Sequence, residues 1–188
     1  MVLALPRGGV PVAAEIAHSA GVPLDLLLVR KIGAPGNEEF AIGAVVDGNN
    51  PEIVVNKDAA AHFGLTEADV REMGASGLRE IERRRQLYLK GRSPLEVKGK
   101  TAIVVDDGIA TGASIKAALR ALARRDPARI ILAVPVAPGD VLVELLGDTD
   151  SIVCLETPSP FLAVGAHYRD FPQVDDAAVI AALSAPSP

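Results

Sequence analysis

The chain alternates short apolar runs with stretches in which apolar residues recur every three or four positions. Runs of β-branched and aliphatic residues bounded by turn-forming residues predict buried strands. These strands are Val2 to Leu5, Leu24 to Val29, Ile42 to Val46, Ile53 to Val55, Ala102 to Val105, Arg129 to Val136 and Ser151 to Leu155. Helical spacing predicts helices from Val10 to a stop at Gly21, from Ile115 to Leu122, from Asp140 to Leu146 and, after a cap at Asp175, from Asp176 to Leu183. This order predicts one α/β domain over residues 1–188, a doubly wound, mostly parallel sheet flanked by helices.

Between the third and fourth of these strands lies a strong turn composition, Asp47 to Asn50, which predicts a hairpin. The interval from Asn56 to Gly99 is long and largely helical in pattern. Thr66 and Asp69 have the spacing of a capping box and predict the helix start. Two glycines, at 74 and 77, weaken the pattern and make a break plausible there.

Two carboxylates, Asp106 and Asp107, stand at the end of the strand that runs from Ala102 to Val105. Carboxylate oxygens accept hydrogen bonds, so this pair is suited to the hydroxyls of a sugar, or to a divalent cation that such hydroxyls help to hold. The alternative is an ordinary strand-to-helix turn with a solvated acidic pair.

The turn that follows the acidic pair has the composition of a phosphate-binding loop. Gly108 and Gly112 permit a tight turn, and the hydroxyls of Thr111 and Ser114 can donate to an anion or cap the helix that begins here. The unpaired N–H groups at a helix N-terminus bind phosphate without a lysine. One side of the predicted site is therefore suited to phosphate and the other to a diol.

Two further segments place charge or glycine after predicted strands. Arg7, Gly8 and Gly9 follow the first strand, where two glycines let main-chain N–H groups point at an anion. Arg30 and Lys31 follow the predicted strand from Leu24 to Val29, at the end where ligands lie in open α/β sheets. By themselves both segments are also compatible with surface turns and surface cations.

The run VVDDGIATGAS resembles the phosphoribosyl pyrophosphate signature of the type I phosphoribosyltransferases, and its length, order and context all fit. The segment RKIGAPGNEEFAIGAV resembles a stand-alone, less-characterised branch of that family. The resemblance implies Mg²⁺-dependent transfer of a phosphoribosyl group from phosphoribosyl pyrophosphate to a nitrogenous, base-like acceptor, with release of pyrophosphate. A noncatalytic protein that binds phosphoribosyl pyrophosphate or a nucleotide for regulation is the alternative on the same fold.

The resemblance also implies a role for each part of the site. Asp106 and Asp107 would be catalytic, holding the ribose hydroxyls and Mg²⁺, the metal mostly through the substrate. Lys31 would be catalytic and receive pyrophosphate. The residues implied in substrate binding are Arg7, Gly8, Gly9, Arg30, Gly108, Ile109, Ala110, Thr111, Gly112, Ala113, Ser114 and Phe161.

Members of this family close a mobile lid over the site and cover the acceptor with a hood. We place the lid at about residues 47–99 and the hood at about 156–174, where Phe161 or Tyr168 could stack on a planar acceptor or pack in the core. One position departs from the hypoxanthine-guanine type, which has an aspartate before the Thr-Gly of the loop. Ala110 stands there, as an alanine also does in adenine-type enzymes of the family, so the general acid/base that is missing is the one for a 6-oxopurine.

Composition limits the remaining possibilities. The net charge of −5 argues against nonspecific nucleic-acid binding, and no apolar run reaches the length of a membrane span. We therefore expect a cytoplasmic protein that binds small molecules, and a homodimer is possible. Cys154 lies in an apolar run and is expected to be a buried thiol. A strand at residue 2 leaves no helix before it to cover the sheet, which suggests a trimmed start.

Eight lysines and arginines against three acidic residues fall between Arg79 and Lys100. This stretch is either a solvated basic helix face or a surface that lies over a polyanionic substrate or a partner subunit.

Overall fold

The structure is a computed structural model that describes residues 1–47 and 51–184, apart from the side chain of Glu39. Its strands are β1 (Val2–Ala4), β2 (Leu24–Leu26), β3 (Val29–Ala34), β4 (Asn37–Val46), β5 (Glu52–Val55), β6 (Thr101–Val105), β7 (Arg129–Val136) and β8 (Ser151–Glu156). Its helices are α1 (Gly9–Ala20), α2 (Lys57–His62), α3 (Glu67–Leu89), α4 (Ala113–Ala123), α5 (Gly139–Leu145) and α6 (Asp176–Ser184). Short 3-10 turns span Leu146–Asp148 and Val164–His167.

A parallel sheet of five strands, in the order β2-β1-β6-β7-β8, forms the centre of the fold. Helices α1 and α6 pack on one of its faces, and α4 and α5 pack on the other. In α4 the predicted apolar stripe is buried, with Leu119 and Leu122 at 0% exposure. The predicted doubly wound α/β class is confirmed.

A separate antiparallel sheet, β3-β4-β5, corrects one prediction. The apolar run from Leu24 to Val29 is not one strand, because β2 ends at Leu26 and β3 begins at Val29. Leu27 and Leu28 are buried where the chain crosses between the sheets, so hydrophobicity alone hides the break. Arg30 and Lys31 therefore lie inside an antiparallel strand and do not follow a parallel one.

The predicted hairpin is present as β4 and β5, paired from Val46 opposite Glu52 to Gly43 opposite Val55. Its turn residues 48–50 lie outside the described residues. Cys154, expected to be buried, is partly exposed on the edge strand β8, and its thiol donates to the Glu156 carbonyl at 3.2 Å.

Helix α3 runs unbroken through Gly74 and Gly77, contrary to the break considered plausible from the sequence. Both glycines are buried. They lie close to the small sheet: a Cβ on Gly74 would lie 2.7 Å from the Ile53 side chain, and one on Gly77 would lie 2.7 Å from that of Val45. Close packing on the small sheet thus offsets their poor helix propensity. The movement of residues 47–99 as a lid stays a prediction.

Candidate active site

The site lies where the chain changes direction across the parallel sheet. From β1 the chain passes through α1 to β2 on one side, and it later returns as β6 on the other side of β1. Strands β1 and β6 are parallel neighbours, with Ala4 opposite Val105. The loops that leave their carboxyl ends, residues 5–8 and 106–112, therefore start side by side. This is the position at which open α/β sheets bind ligands.

The two loops touch through glycine. A Cβ on Gly8 would overlap Oδ2 of Asp107 and come within 2.5 Å of its Cγ. A Cβ on Gly9 would lie 2.7 Å from the Val105 carbonyl oxygen and 2.8 Å from the Asp106 Cα. The two glycines are therefore needed for the acidic pair to lie against the first loop.

The charged forms of Asp106 and Asp107 are disfavoured at this position. Burial, together with the neighbouring charge of Asp107, raises the pKa of Asp106 to about 8. Burial also raises the pKa of Asp107. Among the described residues no lysine or arginine forms an ion pair with either carboxylate. A bound cation or a set of donating hydroxyls would relieve this charge.

The loop from Gly108 to Gly112 leads into the N-terminus of α4. Gly112 is the N-cap, with φ 73°, and its Cβ would lie 2.8 Å from the Val141 side chain, so glycine is required there. The N-cap is therefore Gly112, and neither Thr111 nor Ser114 as predicted. The first N–H groups of a helix have no acceptor within the helix, so this end of α4 is suited to an anion.

Three loop residues between the acidic pair and α4 are placed differently from one another. Ile109 is buried at 2% exposure and its N–H donates to the Val136 carbonyl at 3.0 Å, so its side chain anchors the loop in the core. Ala110 and Thr111 are exposed. Of the residues predicted to bind substrate here, Ile109 can contribute only through its main chain.

A cavity of about 440 Å³ opens beside the acidic pair at the carboxyl ends of β1, β2 and β6. It is lined by Leu5, Pro6, Leu27, Leu28, Val29, Arg30, Glu80, Ile81, Arg84, Asp106 and Ser114. The structure thus brings Arg30, Asp106 and Ser114 together as the sequence predicted. Arg30 reaches it by lying over α3, where a Cβ on Gly77 would be 3.5 Å from the Arg30 Cδ.

Lys31 is not among the residues that line this cavity. It pairs in register with Ala44, and it lines a second cavity of about 300 Å³ that also contains Glu38. Of these two cavities Lys31 lines only the second, whereas Arg30 lines both. Its role as a catalytic cation stays a prediction.

Arg7 is held by the last helix of the chain. Its Nη1 lies 3.6 Å from Oδ1 of Asp176, in the first turn of α6, and the same oxygen accepts a hydrogen bond from the Tyr88 hydroxyl at 2.6 Å. The loop of Arg7 is therefore connected to both α3 and α6.

The hood packs directly on the loops of the site. Tyr168 donates from its hydroxyl to the main-chain carbonyl of Asp107 at 2.5 Å, and a Cβ on Gly108 would lie 2.6 Å from the Val164 side chain. Phe161, predicted to stack on the acceptor, stacks on His167 with ring centroids 5.3 Å apart. Tyr168 thus braces the acidic pair.

Sequence reasoning named Arg84 only as part of a basic stretch that could face either substrate or water, and it gave no role to Glu80 or Asp176. A signal for Arg84 was present, because it falls three residues after Ile81 and four before Tyr88, and both neighbours are buried. Residues at this spacing share a helix face. No comparable pattern points to Asp176, which meets Arg7 only through the tertiary fold.

Comparison with known proteins agrees with this geometry. A family model described as "Phosphoribosyl transferase domain" matches residues 1–167. The chain belongs to the phosphoribosyl transferase domain family. In Mycobacterium tuberculosis strain H37Rv the protein named "Putative phosphoribosyl transferase Rv0571c" is 43% identical over 183 residues, 97% of this chain. The chain spans 41% of the length of that relative.

Among solved structures, TT1426 from Thermus thermophilus is similar to this chain. It is 42% identical to this chain and superposes with a TM-score of 0.88, covering 97% of this chain and 85% of its own. This likeness over nearly the whole domain confirms the fold that the phosphoribosyl pyrophosphate signature implied.

The described residues, 1–47 and 51–184, contain neither a membrane-spanning helix nor a protein-only metal cluster. Within those ranges no helix is both long enough and apolar enough to cross a membrane. The same residues contain no cluster of three or more histidine, cysteine, aspartate or glutamate side chains able to hold a metal ion.

Proposed function

We propose that this chain is a phosphoribosyltransferase that takes its phosphoribosyl group from phosphoribosyl pyrophosphate. The observation that carries the proposal is the contact between the Gly8–Gly9 loop and the carboxylates of Asp106 and Asp107 at the switch point of the sheet. It brings a loop suited to an anion against a pair suited to a diol. Membership of the family supports the same donor.

In this proposal each loop holds one part of the donor. The open N-terminus of α4, with Thr111 and Ser114, binds the 5′-phosphate. The carboxylates of Asp106 and Asp107 accept hydrogen bonds from the ribose hydroxyls. Pyrophosphate lies toward Arg7 and the main-chain N–H of Gly8, since the N–H groups of Gly9 and Val10 donate to the carbonyls of Leu5 and Arg7, each at 3.1 Å.

The reaction moves C1 of the ribose from an oxygen of pyrophosphate to a nitrogen of the acceptor. A nitrogen lone pair of the acceptor forms a bond to C1 of the ribose, and the C1–O bond to pyrophosphate breaks, with the bonding pair leaving on pyrophosphate. Because charge separates as this bond breaks, the protein contributes chiefly by positioning the donor and stabilising the departing anion.

Mg²⁺ fits the acidic pair only in combination with the donor. Two carboxylates without a cationic neighbour are suitable oxygen ligands, but two are too few for a cage, and Mg²⁺ commonly completes its shell with substrate oxygens and water. When bound, the ion would supply positive charge to the donor's oxygens. Asp106 and Asp107 are the residues that would orient it.

Isothermal titration with phosphoribosyl pyrophosphate and Mg²⁺ tests the assignment. We expect Asp107→Asn to weaken binding by about tenfold or more, since a charge-assisted hydrogen bond is lost. The matched control is Asp126→Asn, because Asp126 is exposed and its one ion pair, with Lys98, is long at 3.9 Å. Equal affinity of the wild-type chain and Asp107→Asn would refute the proposal.

A donor-binding regulatory protein without catalysis is the second candidate. It is favoured by Ala110, which is exposed on the loop and has no group able to move a proton to or from an acceptor. Release of pyrophosphate with a panel of purines, pyrimidines and small amines separates the two. Turnover with any acceptor excludes the regulatory function, whereas tight donor binding without turnover supports it.

A further inference from the structure

Arg84 lies on the face of α3 that meets the site. Ile81 and Tyr88, one turn to either side on the same face, are 2% and 4% exposed and fix that face against the core. Arg84 itself lines the 440 Å³ cavity together with Arg30 and Asp106. Its guanidinium is therefore presented to the cavity by a rigid helix.

A carboxylate on the previous turn orients Arg84. Oε1 of Glu80 accepts a hydrogen bond from the Arg84 Nε at 2.7 Å, while Arg83 donates to both Glu80 oxygens, at 2.8 and 3.0 Å. These hydrogen bonds lower the pKa of Glu80 to about 2, so it is ionised at all physiological pH values. Among the described residues the Nη groups of Arg84 make no hydrogen bond, which leaves their donors for a ligand.

Arg84 is linked to Arg7 through Tyr88, which lies one turn further along the same face of α3. The Tyr88 hydroxyl donates to Oδ1 of Asp176, the ion-pair partner of Arg7. Arg84 therefore approaches the region of Arg7, to which the proposed function assigns pyrophosphate, and the cavity that it lines extends to Ser114 at the start of α4.

We propose that Arg84 binds the pyrophosphate group of the donor, held in position by Glu80. This inference rests on the proposed function and extends it to α3, a helix to which the sequence signature assigns nothing. A planar guanidinium with donors open to the cavity matches the geometry of a phosphate oxygen pair. Arg30, which lines the same cavity, would supply a second cation to the same group.

Arg83 offers a matched control for Arg84. It is the next residue on α3, makes an ion pair with the same Glu80, and lies 57% exposed beside a different surface hollow, which Pro51 and Leu78 line. Arg83→Gln and Arg84→Gln therefore remove the same charge and the same partner of Glu80. They differ in access to the cavity.

Titrations with three probes, each with Mg²⁺, test the proposal: phosphoribosyl pyrophosphate, inorganic pyrophosphate and ribose 5-phosphate. We expect Arg84→Gln to weaken binding of the first two by about tenfold and to leave ribose 5-phosphate within about twofold. Arg84→Lys should recover part of the loss, and Arg83→Gln should match the wild type. Thermal melts of each variant establish that it is folded.

The outcomes separate this inference from the function beneath it. If the wild-type chain binds neither phosphoribosyl pyrophosphate nor ribose 5-phosphate, the proposed function fails and the role of Arg84 fails with it. If the wild type binds both and Arg84→Gln binds pyrophosphate equally well, only the role of Arg84 is wrong. Equal losses in Arg83→Gln and Arg84→Gln would also overturn it, since they would reflect general charge or the loss of a Glu80 partner.

Discussion

Replacing Gly8 by alanine should create a steric clash between the first loop and the Asp107 carboxylate. Gly8 has φ −58° and ψ −39°, a conformation that alanine adopts readily, so the backbone does not oppose the change. The obstacle is the Asp107 side chain, whose Oδ2 the new methyl would overlap and whose Cγ it would approach to 2.5 Å. The carboxylate must therefore move from the position in which it faces the site.

The magnitude follows from these contacts. Overpacking a tight site costs about 1–3 kcal/mol of unfolding free energy, whereas Gly→Ala at a compatible, unobstructed position adds about 0.4–1 kcal/mol by restricting the unfolded chain. In an Asp107→Ala background the obstructing atoms are absent, so Gly8→Ala should change from destabilising to neutral or stabilising. The expected coupling energy between the two positions is about 2 kcal/mol.

Urea denaturation of the wild type, the two single variants and the double variant gives this coupling, and titration with phosphoribosyl pyrophosphate should show weaker binding by Gly8→Ala. Gly9→Ala serves as a contrast, because its methyl would meet the main chain of Val105 and Asp106, which Asp107→Ala leaves in place. Additive effects of Gly8→Ala and Asp107→Ala, within about 0.5 kcal/mol, would refute the contact.

Three further predictions concern the surroundings of the site. Asp106, with a pKa raised from 3.8 to about 8 in the folded chain, holds a proton there that the unfolded chain releases, so stability should fall by up to about 1.4 kcal/mol per pH unit as pH rises between these values. Measured without divalent cations, Asp106→Asn should remove most of that fall, and an unchanged slope would contradict it. Tyr168→Phe removes the hydrogen bond to the Asp107 carbonyl and should lower the unfolding free energy by about 1 kcal/mol. A urea denaturation curve with the same midpoint and the same slope as the wild type would contradict this prediction. Gly77→Ala should destabilise by about 1–3 kcal/mol, because its methyl would lie 2.7 Å from the Val45 side chain; a rise in melting temperature would mean that helix propensity outweighs packing here.

Local patterns accounted for the parts of the site that each depend on one segment. The apolar run of β6, the acidic pair after it and the glycine-rich turn into α4 are contiguous, so the strand, the turn and the helix that follows could be predicted together. The alternation of strands and helices likewise predicted the parallel sheet, because burial on both faces requires continuous apolar strands.

Contacts between distant segments were beyond that reasoning. Leu27 and Leu28 have the hydrophobicity of strand residues, yet they link two sheets. Only the fold shows that Arg30 lines both cavities while Lys31 lines only the second. The glycines of α3 predicted weakness in isolation and proved to be points of close approach.

By itself, then, the sequence determined the fold class, the family and the acidic pair with its phosphate loop, since each is written in neighbouring residues whose spacing fixes their local geometry. The tertiary structure alone decided that Gly8 lies against Asp107, that Tyr168 of the hood braces the same loop and that Arg84 of α3 faces the cavity. These pairings join residues far apart in the chain, and they depend on how the elements pack, which no local periodicity encodes.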